Sequence, residues 1–81
     1  MKPGKHSGEY MTLLVDKDGK NATLNFERNT YKMSDAITQK MLKALEPDMK
    51  SRGHFIVAYG PLILRSSDVK DLVRILRKAC K

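Results

Sequence analysis

The chain has 81 residues, of which 41% are hydrophobic. That is enough for one core and too little for two, so a single domain is expected. Sixteen Lys and Arg against nine Asp and Glu give a net charge of +7, a balance that favours a polyanionic partner such as nucleic acid, although net charge also serves solubility. One cysteine excludes an internal disulfide, and no apolar run approaches the roughly 20 residues needed to cross a bilayer. With no apolar leader either, the expectation is a reduced, cytoplasmic protein without a membrane partner.

Residues 1–8, MKPGKHSG, combine Pro3, Gly4 and Gly8 with Lys2 and Lys5 and hold nothing to anchor them. They are expected to form a flexible basic arm outside a domain spanning 9–81. Arms of this kind can follow a phosphate backbone. From Glu9 to Asp16, Met11, Leu13 and Val15 alternate with Tyr10, Thr12 and Leu14. Residues 22–28 set Ala22, Leu24 and Phe26 against Thr23, Asn25 and Glu27. Both segments read as strands, and Asp18-Gly19 between them is a hairpin signal.

Asn29 to Met33 reads as a linker. Ser34 and Asp35 can cap the helix that follows, on which Ile37, Met41, Ala44 and Leu45 share a face with Lys40 and Lys43 outside it. Pro47 ends that helix, and residues 47–52 leave room for one more turn before Gly53. Phe55, Val57 and Tyr59 alternate with His54, Ile56 and Ala58, apolar on both sides, which predicts a central strand. After Gly60-Pro61, Leu62 to Arg65 form a short strand, and Ser67 is the preferred cap of the last helix. On that helix Val69, Leu72, Val73, Leu76 and Cys80 make an apolar stripe, while Lys70, Arg74, Arg77, Lys78 and Lys81 gather on a different side.

The expected fold is α+β, in the order β-β-α-β-β-α, with a mainly antiparallel sheet of about four strands and both helices on one face. A homodimer would bury more surface than so small a core can alone.

Catalytic and metal chemistry find little support. Asp16, Asp18 and Glu27 fall at calcium-loop positions, but Lys20 stands at a ligand position and Asn21 where the turn needs Gly. His6 and His54 have no Cys or carboxylate at metal-ligand spacing. Cys80 lies on an apolar face, Ser66 and Ser67 serve as caps, and no glycine-rich phosphate loop occurs. A non-enzymatic binding protein without metal or cofactor is therefore expected. Nucleic acid is the first reading, bound with little sequence preference through phosphate contacts from Lys70, Arg74, Arg77, Lys78 and Lys81, with Lys2 and Lys5 adding reach. The alternative is a small regulator or inhibitor that docks on a larger protein. Leu42 and Ile75, off the centre of their helices' apolar faces, and Leu14, on the wet side of its strand, favour it because they are expected to leave apolar surface exposed. An open sheet edge can also pair with a strand of a partner or of a second copy.

Overall fold

The computed structural model describes residues 1–80. Six strands and two helices follow in the order β1 (Gly4–Ser7), β2 (Met11–Val15), β3 (Asn21–Phe26), β4 (Asn29–Ser34), α1 (Asp35–Leu45), β5 (Ile56–Tyr59), β6 (Leu62–Arg65) and α2 (Ser66–Cys80). A 3-10 turn over Glu46–Lys50 carries α1 past Pro47. The α+β class is as expected, but the order is β-β-β-β-α-β-β-α and the strands form two sheets. Strands β1 to β4 make an antiparallel meander, and β5 and β6 a separate hairpin.

Three differences from the sequence reading have identifiable causes. The expected arm is an edge strand: residues 4–7 pair with β2, and the Lys2 N–H donates to the Ala79 carbonyl at 2.7 Å. The expected linker is β4, reached through a two-residue turn in which Glu27 and Arg28 both hold positive φ, 49° and 66°. Such turns favour Asn-Gly, and Glu-Arg gives no sign of one. The third is β5, which is not central. Gly60, at φ 63°, folds the chain directly back onto β6, so Tyr59 faces Leu62 and the hairpin docks by one side only.

The left-handed pair leads to a test. An L-residue in that region costs about 1–2 kcal/mol, and a glycine there is unstrained. Arg28→Gly should therefore stabilise the fold by about 1 kcal/mol, read as a rise in melting temperature of roughly 4–8 °C for a domain of this size.

The inner face of the meander presents Met11, Leu13, Val15, Ala22, Leu24, Phe26 and Met33 to one continuous core. Helix α2 closes that core. It touches β1, β2, β5, β6, α1 and the 3-10 turn, and Val69, Leu72, Val73 and Leu76 are fully buried as their spacing predicts. Because neighbours surround it, the buried arc widens to include Ile75 and Ala79. On α1 the inward residues are Thr38, Met41, Leu42 and Leu45, while Ile37 and Ala44 face out. The spacing 38, 41, 42, 45 is itself a helical stripe. Thr38 joins it because its hydroxyl donates to the Ser34 and Asp35 carbonyls, at 2.8 and 2.9 Å. Leu42 and Ile75, expected to expose apolar surface, are buried; Leu14 is 40% exposed as its strand phase predicts.

Both helix starts are capped, one as expected. The Ser34 hydroxyl accepts from the Ile37 N–H. At α2 the work falls to Asp68 rather than Ser67: its carboxylate accepts from the Arg65 backbone N–H at 2.9 Å and pairs with the Arg65 guanidinium. An acidic side chain three residues into a helix, reaching back to the residue before it, satisfies a donor that the helix leaves free.

Candidate nucleic-acid interface

Helix α2 has two acidic residues, Asp68 and Asp71, and both are turned inward and only 3% exposed. Asp68 caps the helix. Asp71 accepts from the backbone N–H groups of Glu9 and Tyr10, at 2.7 and 2.8 Å, fastening the β1–β2 turn to the middle of α2. With both carboxylates occupied inside, the outer side of the helix carries only positive charge. Lys70, Arg74 and Lys78 follow one another there at intervals of four residues, all exposed. Among the described residues none of the three is in an ion pair. Lys78 also sits in the last turn, where it offsets the partial negative charge of the free carbonyls.

The remaining candidates are placed differently. Arg77 is half-exposed and its Nη2 lies 3.3 Å from the Glu46 carboxylate, so part of its charge is already answered. Lys81 lies outside the described residues. Lys2 is exposed and stands at the C-terminal end of α2, where its N–H meets the Ala79 carbonyl. Lys5 does not join the stripe. It pairs with Leu14, whose side chain is on the outer side of the meander, and directly opposite residues share a face. Lys5 thus points away from α2.

Two cations that the sequence did not single out come close to the stripe. Lys43 and Lys50 line an open depression of about 480 Å³ with Glu46, Pro47 and Arg77. Three positive groups against one carboxylate leave this hollow basic. No spacing rule brings positions 43, 50 and 77 together; only the docking of α1 on α2 does.

Comparison with known protein families, curated proteins and solved structures gives no match. The chain's own chemistry therefore carries the argument. Burial, with the Asp35 carboxylate adding to it, pushes the Cys80 thiol above its ordinary range, which keeps it protonated and poorly nucleophilic near neutrality. His6 is held within its own strand region, its Nε2 donating to the Lys2 carbonyl at 2.9 Å. Among the described residues no helix is long and apolar enough to cross a membrane, and no three His, Cys, Asp or Glu side chains gather as metal ligands would.

Proposed function

We propose that this protein is a non-enzymatic nucleic-acid-binding protein whose α2 lies against a phosphate backbone. The observation that carries the reading is the partition of charge on that helix: both carboxylates buried and bonded, and Lys70, Arg74 and Lys78 outside and, among the described residues, unpaired. Lys2 extends the positive surface at the helix end, and the hollow of Lys43, Lys50 and Arg77 flanks it. Such a surface positions a protein on phosphates without reading bases.

The test is a salt titration of binding to a random-sequence duplex. Three to five phosphate contacts predict that the logarithm of affinity falls against the logarithm of salt with a slope of about −2.7 to −4.5. Absence of binding at low salt would remove the reading.

A second reading draws on the β5–β6 hairpin. On its outer side Ile56 is 72% and Ile63 62% exposed, with Ala58 opposite Ile63 in the ladder. Apolar side chains beside unpaired strand edges suit a protein partner, either a larger target that this chain regulates or a second copy in a homodimer.

A further inference from the structure

None of the nine Asp and Glu residues falls within the four strands of the meander, whose sequences are GKHS, MTLLV, NATLNF and NTYKMS. The inner side of that sheet is the core, so its outer side is a broad surface with no carboxylate in its strands. Strand register fixes what stands there. One row across the sheet reads Lys5, Leu14, Thr23, Lys32, and the next Ser7, Thr12, Asn25, Thr30. The two lysines are exposed at opposite edges, and Thr12, Thr23 and Asn25 between them are half-buried. At an inter-strand spacing of about 4.8 Å, the lysine Cα atoms stand roughly 14 Å apart.

One end of this face is shaped. Tyr10, 53% exposed, lines an open depression of about 360 Å³ with Thr12, Asn25 and Arg28, and two acidic residues, Glu9 and Glu27, line it as well. The backbone of Tyr10 is not free to drift, because its N–H is held by the buried Asp71 carboxylate. Glu27, at the same end, is engaged by the Arg65 guanidinium at 2.6 Å.

The geometry points to a second nucleic-acid surface: the outer face of β1–β4 is a platform for a single strand, with Tyr10 as a stacking side chain and Lys5, Lys32 and Arg28 as phosphate contacts. It rests on the same nucleic-acid reading but uses the side of the molecule away from the α2 stripe. Charge favours a polyanion: Lys5, Lys32 and Arg28 frame a face whose strands carry no negative group, and they outnumber Glu9 and the Arg65-bound Glu27 at its shaped end. The short polar side chains decide for a single strand. Thr, Ser and Asn on a flat sheet meet splayed bases, and an exposed aromatic ring stacks only on a base that has left its own stack. A duplex would offer this face its backbone alone.

The experiment is fluorescence anisotropy with labelled dT12 and with a 12-base-pair duplex, on the full chain. Tyr10→Ala should weaken dT12 binding about tenfold, within the range of one lost base stack, and change duplex binding less than twofold. Tyr10→Phe, which keeps the ring, should bind dT12 as the parent does. Lys5→Glu with Lys32→Glu should weaken dT12 at least tenfold and flatten its salt slope by about 1.4, two single-strand contacts' worth. Each variant is melted, so that a loss of binding counts only where the fold is intact. Failure of the parent to bind dT12 at low salt overturns the platform. So does unchanged dT12 affinity in the folded Tyr10→Ala and lysine variants, and the α2 reading then stands or falls separately on the duplex.

Discussion

Asp71→Ala is expected to lower stability by about 3 kcal/mol, the largest effect of any single side chain outside the apolar core. The carboxylate is 3% exposed and accepts from two backbone N–H groups. Hydrogen bonds to a charged acceptor contribute about 1.5–3 kcal/mol each, and orphaned donors cost about 1–3 kcal/mol apiece. Water reaching the partly buried turn recovers some of that loss, which sets the figure near the middle. For a domain of this size the melting temperature should fall by roughly 12–24 °C. A side chain at Gly8 attacks the same contact, because a Cβ there would overlap the Asp71 carboxylate. Gly8→Ala should thus destabilise on its own and cost much less in the Asp71→Ala background. Additive losses in that double-mutant cycle would show that the two positions act independently. If Asp71→Ala melts with the parent, the clamp contributes nothing.

Lys70→Glu combined with Arg74→Glu is expected to reduce duplex affinity about a hundredfold at 0.1 M salt. Each lost phosphate contact removes close to one logarithmic unit at that concentration, and the salt slope should drop by about 1.8. Both positions are exposed and, among the described residues, unpaired, and Glu is as good a helix former as Lys or Arg, so the melting curve should barely move. Arg77 is the poorer choice for this test. Replacing it also releases Glu46 from its ion pair, mixing a change of surface charge with the loss of a contact between α2 and the end of α1. Full duplex affinity in the folded double variant would end the case for the helix.

What sequence could reveal followed the strength of local signals. The apolar stripe of α2 repeats at helical spacing through Val69, Leu72, Val73 and Leu76, and all four are buried. Asp18-Gly19 announces its hairpin, and Gly19 holds φ 70° there. Strand β4 was hidden because Glu27 and Arg28 adopt left-handed backbone against their own preference, and because its residues, NTYKMS, place a single buried side chain, Met33, in the core. Strand β1 was hidden because GKHS has no apolar residue at all. Its place is set from outside, by pairing with β2 and by the contact of Lys2 with the end of α2. The candidate site was half legible. Helical spacing placed Lys70, Arg74 and Lys78 together, but the separation of Lys5 from them follows from strand register, which no single strand encodes.

Ribosomes release β1 to β4 and α1 before α2, and that order has a consequence. Until the residues from Ser66 onward emerge, Leu13, Leu24 and their neighbours lack the helix that seals them. A nascent or truncated chain ending ahead of α2 presents one wet side and one oily side of the same meander, and the oily side is what chaperones and quality-control proteases recognise.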